Sequence, residues 1–178
     1  MVTPPSDEIL MQRVRQGDAR AFDALVLRHQ GRVANLFHKW GGQYYEIEDL
    51  MQETFLRLLH AAPRYKPTAR FTTFLHILAR HSFLDHLRTK RRKPLAPLAE
   101  GTDIEAPADT SDTRLDIAAC LDRLPWHCRE TLVLRVYSGL DYAEIAEVLD
   151  IPLGTVKSRL HEAMTLLREI ARDLDMAP

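Results

Sequence analysis

Residues 141–163 read DYAEIAEVLDIPLGTVKSRLHEA, and the spacing of their apolar residues decides the fold. Asp141 and Glu144 stand as a helix N-cap and its N3 partner, a pair that satisfies backbone N–H groups left open by a first turn. Ile145, Ala146 and Leu149 form one apolar stripe, and Val156, Leu160, Ala163 and Leu167 form a second at i, i+4, i+7 and i+11. Between them lies LDIP, in which Asp150 tolerates a left-handed backbone better than most residues. Packing the stripes together leaves Thr155, Lys157, Ser158, Arg159, His161 and Glu162 on or flanking the outer face of the second helix. A groove-reading helix-turn-helix is built this way. A helical hairpin that packs on a protein is the competing reading, and small Ala146 at the crossing together with GTVKSRL favours DNA. As a reader this helix is weakly basic, since Glu162 sits beside Lys157 and Arg159.

The remainder of the chain supports an all-α fold of two small domains. At 178 residues there is room for one ordinary domain or two small ones, and a hydrophobic content of 46% is enough for real cores. No run reaches the roughly 18 apolar residues of a membrane span, and MVTPPSDE lacks a basic segment followed by an apolar one. A cytoplasmic location without direct membrane insertion is therefore expected. The net charge of −1 conceals segregation: residues 1–93 carry 16 Lys+Arg against 9 Asp+Glu, residues 94–116 one against six, and residues 117–178 seven against ten. The stretch PLAPLAEGTDIEAPADTSDTRLD buries too little to offset chain entropy, so 94–114 is expected to be an acidic, Pro-rich flexible linker between domains at 1–93 and 115–178.

In the first domain a short helix is expected from about Asp7 to Arg15. A long one follows, capped by Asp18, carrying Phe22, Leu25, Val33, Phe37 and Trp40 at helical spacing and ended by Gly41-Gly42. A third, from about Glu46 to Ala62, puts Ile47, Met51, Phe55 and Leu58 on one side and leaves Asp49, Gln52 and Glu53 to solvent. The fourth starts near Thr72 and runs into the basic stretch from Arg88 to Lys93. In the second domain a helix starting near Leu115 breaks at Leu124-Pro125, and another runs from Glu130 to Tyr137. No segment alternates with period two, so strands are not expected.

Two first-domain surfaces carry chemistry. Phe71, Phe74, His76, Arg80 and His81 precede the cations Arg88, Lys90, Arg91 and Arg92. Cations neutralise phosphates and aromatic rings receive unstacked bases, the combination that single-stranded nucleic acid requires; a plain solvated helix end is the competing reading. The acidic and amide groups Asp49, Gln52 and Glu53 repel phosphate and suit a protein partner better, although composition alone also fits a solvated face. Enzyme chemistry has little support: there is no HExxH and no glycine-rich phosphate loop, and the seven glycines are scattered. His76, His81 and His86 lie five apart, which spreads them around a helix. Cys120 and Cys128 belong to no CxxC pair. No catalytic residue, cofactor or metal is expected.

Four collinear stretches, GDARAFDALVLRHQGRV, EDLMQETFLRLL, FTTFLHILARHSFLDHLRTKRR and the segment from LDRLPWHCRE to HEA, resemble the bacterial extracytoplasmic-function (group IV) sigma factors in their compact two-domain form. The resemblance implies a region 2 bundle, a region 4 helix-turn-helix and an initiation factor whose partners are core RNA polymerase, through the clamp helices of its largest subunit and its flap, and promoter DNA. Asp49, Gln52 and Glu53 match the clamp-binding positions. The loop holding Arg64, Lys66 and Arg70 and the helix through Phe74, Arg80, His81 and Arg88 match the segment that opens the −10 element and holds a flipped base, with Arg91 and Arg92 continuing it. Lys157, Ser158 and Arg159 match positions that read the −35 element, flanked by Thr155, His161 and Glu162. Phe74 and His81 stand where many relatives carry Trp and Asn. An anti-sigma factor is a further partner the resemblance implies. The rival functions are a helix-turn-helix regulator that binds DNA without polymerase and a sigma-like decoy for an anti-sigma protein.

Overall fold

The computed structural model describes residues 4–67, 70–92 and 112–175. Among them the regular structure is helical throughout: α1 (Asp7–Arg15), α2 (Ala19–Lys39), α3 (Tyr44–Ala61), α4 (Phe71–Arg92), α5 (Asp112–Asp122), α6 (Trp126–Val136), α7 (Tyr142–Leu149) and α8 (Leu153–Asp175). A 3-10 turn, Ala62–Arg64, follows α3. No strand occurs among the described residues. The expected linker lies outside them, except that α5 opens at Asp112, inside the stretch assigned to it.

Local chemistry sets most boundaries. Asp18 caps α2 by accepting from the Arg20 and Ala21 N–H groups at 3.0 and 3.2 Å, while Arg13 steadies its carboxylate at 2.9 Å. Helix α3 begins at Tyr44, earlier than the expected Glu46, because Glu46 is the N3 residue of a box whose cap is Gln43; the Gln43 N–H donates to its carboxylate at 3.1 Å. Helix α6 also begins earlier than expected. Pro125 occupies its N-cap, and its carbonyl accepts from the Cys128 and Arg129 N–H groups, both at 3.0 Å. In α7 the box is reciprocal, Glu144 N–H to Asp141 and Asp141 N–H to Glu144, each at 2.8 Å. Asp150 closes α7 with φ of 54°, the left-handed conformation that the LDIP turn requires.

Helices α1–α4 enclose one core around Met11, Leu25, Phe37, Leu58, Phe71 and Phe83, all essentially buried. Helices α5–α8 enclose a second around Cys128, Val133, Leu134, Ile145, Val156 and Ala163. Each large side chain removed from water contributes about 1.5–3 kcal/mol before entropy is counted, so both helical units own real cores.

The two units also pack on each other. Helix α4 lies against α7, and α2 against α6. Trp126 of α6 stacks on Phe83 with centroids 5.3 Å apart and meets Trp40 edge-on at 5.9 Å. Arg129 donates to the Lys39 carbonyl at 2.7 Å, placing a cation at the negative end of α2. Its guanidinium covers Gly41, which has φ of +92°, and a Cβ at that position would come within 3.2 Å of it.

Candidate nucleic-acid interface

Helix α3 presents Asp49, Gln52 and Glu53 to solvent. Glu53 is not loose: Arg57 donates to it at 2.7 Å and to Asp85 of α4 at 2.9 Å, fixing the carboxylate against the bundle. Hydrogen bonds from Arg57 and Arg88 hold the Asp85 carboxyl below its ordinary range. Leu56, 50% exposed, continues the same face at i+3 from Glu53. Only Ile47, Met51, Phe55 and Leu58 enter the periodic stripe, so sequence reading missed Leu56; its signal is an apolar residue standing outside that stripe.

Helix α4 and the segment before it carry Arg64, Lys66, Arg70, His81, Arg88, Arg91 and Arg92, all exposed. Phe74 is half-buried against Tyr65, with centroids 5.2 Å apart, so its ring is already seated in the fold. Arg88 pairs with Asp85 at 2.8 Å. Arg80 turns inward: its Nε donates to Glu130 of α6 at 3.0 Å. Nearby, Thr73 donates to Glu144 of α7 at 3.3 Å, and Arg70 lies 3.5 Å from the same carboxylate.

In α8, Lys157, Ser158, His161 and Glu162 are exposed and Thr155 is half-buried. Ser158 donates to the Thr155 carbonyl at 3.0 Å. Arg159 does not project with them. It folds back onto Glu130, with its Nη1 donating at 3.2 Å. Glu130 is thus held by one cation from each candidate reading helix, Arg80 and Arg159, with its own side chain only 3% exposed. Arginine makes similar planar hydrogen bonds to carboxylate and to phosphate, and in this packing both guanidinium groups meet a carboxylate.

Away from these contacts an apolar groove of about 350 Å³ opens between α5, α6 and α8, lined by Ile117, Leu121, Leu132, Val136, Met164 and Leu167. No described helix is long and apolar enough to cross a membrane.

Comparison with known proteins matches these units one by one. Residues 25–93 fit the model of Sigma-70 region 2, and residues 114–167 fit that of Sigma-70, region 4. The RNA polymerase sigma-H factor of Pseudomonas aeruginosa is 32% identical, with 92% of each chain covered. The ECF RNA polymerase sigma factor SigE of Mycolicibacterium smegmatis is 36% identical over 93% of this chain and 69% of that one. A solved structure of CnrH in complex with the cytosolic domain of CnrY shares the fold, with a TM-score of 0.75 at 24% identity and coverage of 95% of this chain and 99% of that chain. Region 2 falling on the bundle and region 4 on the helix-turn-helix, the chain belongs to the family of ECF RNA polymerase sigma factors.

Proposed function

We propose that the chain acts as a promoter-specificity subunit assembled from three surfaces. Residues 1–93 dock on the polymerase clamp through Asp49, Gln52 and Glu53, with Leu56 beside them, and present α4 to the −10 element. Residues 94–114 link the units, and residues 115–178 offer α8 to the −35 element. It performs no reaction itself and works in the cytoplasm, where promoter and polymerase meet. The apolar groove between α5, α6 and α8 suits an amphipathic helix of a protein partner, either the polymerase flap or an anti-sigma protein.

The observation that carries this reading is Glu130, a buried carboxylate shared by Arg80 and Arg159. Arg80 is occupied while the units pack together and Arg159 is occupied within its own unit, and weak unaided binding follows. Holding the units apart on a polymerase surface frees Arg80 of the link and lets both readers engage at high effective concentration. The test is transcription in vitro from a pool of promoter fragments with core polymerase alone or with the purified chain. Promoter-specific transcripts dependent on the chain are expected, and unchanged output would refute the proposal.

A further inference from the structure

The first turn of α6 and the middle of α8 place His127, Cys128 and Glu162 together, with one ligand atom from each lying within 4.8 Å of the others. His127 Nε2 and a Glu162 carboxylate oxygen are 3.2 Å apart. The Cys128 thiol is fully buried beneath them, and burial first, then the Glu162 charge, pushes it up to about 11. Without a cation, then, the carboxylate works against the sulfur it approaches. With one, the same carboxylate becomes a ligand.

We infer that His127, Cys128 and Glu162 form a binding site for a thiophilic divalent cation, zinc being the best match. One nitrogen, one sulfur and one carboxylate oxygen suit zinc or cobalt and suit magnesium or calcium poorly. Zinc bond lengths in a tetrahedron separate donor atoms by roughly 3.3–3.6 Å. The His–Glu pair, at 3.2 Å, is just short of that spacing, and with no donor pair beyond 4.8 Å the sulfur needs an approach of at most about an ångström. The two exposed arms supply it, since the side chains of His127 and Glu162 are 43% and 50% exposed while Cys128 is fixed by its packing. On binding, the Cys128 S–H bond breaks and its proton leaves to solvent, the thiolate and the neutral imidazole each donate a lone pair, and Glu162 binds as the carboxylate. The helix N-terminus under Cys128 favours the thiolate. Arg159, whose charge acts on the same sulfur, is retained by Glu130 at 3.2 Å. Three protein ligands leave one position for water. When filled, the site ties α6 to α8 and neutralises the one acid among the side chains expected to face DNA.

The test uses the full chain, reduced and stripped of metal, titrated with Co²⁺ and separately with Zn²⁺ against a chromogenic chelator. One equivalent of Co²⁺ should bind with a thiolate-to-cobalt charge-transfer band, and Zn²⁺ should raise the melting temperature. His127→Ala and Glu162→Gln, both at exposed positions that leave the core intact, should each weaken Zn²⁺ by more than the roughly 100-fold that an outer-shell loss costs. Cys128→Ser should abolish the band, and Cys120→Ser should retain it. Absence of the band in the parent chain, or Zn²⁺ affinity in His127→Ala or Glu162→Gln equal to that of the parent, overturns the site.

Discussion

Replacing Glu130 by Gln removes one charge at nearly constant shape, and the structure says what should follow. The carboxylate accepts from Arg80 at 3.0 Å across the unit boundary and from Arg159 at 3.2 Å within the second unit. Burial is high on all three side chains, with exposures of 3% for Glu130, 18% for Arg80 and 23% for Arg159. A hydrogen bond to a charged group contributes about 1.5–3 kcal/mol. Losing the Arg80 contact therefore shifts the closed-to-open balance by roughly 10- to 150-fold, at about 1.4 kcal/mol per decade. The Trp40, Phe83 and Trp126 cluster remains, so the packed form still dominates. Under that condition the whole factor appears in the apparent affinity of a probe that engages Arg80, because that binding draws on the open fraction, whereas Lys157, Ser158 and His161 are already exposed in the packed form. Fluorescence anisotropy in the absence of polymerase should show Glu130→Gln binding a single-stranded −10 probe more tightly, by at least about tenfold. Thermal melting of the variant establishes that both cores remain folded. Affinity within about twofold of the parent for that probe would refute the idea that Glu130 restrains Arg80, since that change corresponds to well under 1 kcal/mol.

Charge reversal at Asp49 or Glu53, or Leu56→Asp, should abolish assembly with core polymerase on a sizing column; at the exposed Asp49 and Leu56 stability should move by no more than about 0.5 kcal/mol, while reversal at Glu53 also gives up its hydrogen bond from Arg57. Asp141→Ala should cost about 1 kcal/mol in a urea melt through loss of the α7 cap, and an unchanged midpoint would deny that cap its role. Burial pushes the imidazoles of His29 and His76 below their ordinary values. The unfolded chain takes up protons near pH 6.5 before the fold does, so stability should fall as pH drops below about 7, by up to about 1.4 kcal/mol per unit for each histidine. Glu46, despite burial that pushes it up, is held low by hydrogen bonds from Lys90 and the Gln43 N–H, and Asp85 by hydrogen bonds from its arginines. Their contributions are lost only further down, below about pH 4.5. His76→Gln should flatten the decline between about pH 7 and pH 5.5, the window set by ordinary histidine; an equal slope would rule His76 out as its source.

Local signals carried much of this fold. Asp18, Asp141, Glu144 and Asp150 act on backbone groups within a few residues, and each does what its position predicts. Ile145 and Leu149 of the first apolar stripe and Val156, Leu160 and Ala163 of the second are buried because helical spacing alone sets their direction. Starts fixed by weaker signals were misplaced: Pro125 opens α6 ahead of the apolar periodicity, and Gln43 is an unusual cap. Less legible still was the use of charge. Glu130 lies 50 residues from Arg80 and 29 from Arg159, so no periodicity joins them. Arg159 accordingly reads as a groove-facing cation in sequence, whereas in the fold it faces a carboxylate. Glu162 is likewise separated by 35 residues from His127, and only the packing of α8 on α6 brings them together.

The most direct measurement is the affinity of the unaltered chain for one promoter duplex, taken with and without core RNA polymerase under identical salt. Promoter selection by two weak readers positioned on an enzyme predicts almost no specific binding by the chain alone and tight, sequence-dependent binding once core polymerase is added. Equally firm binding to the duplex in both conditions, or no association with the polymerase at all, would contradict it.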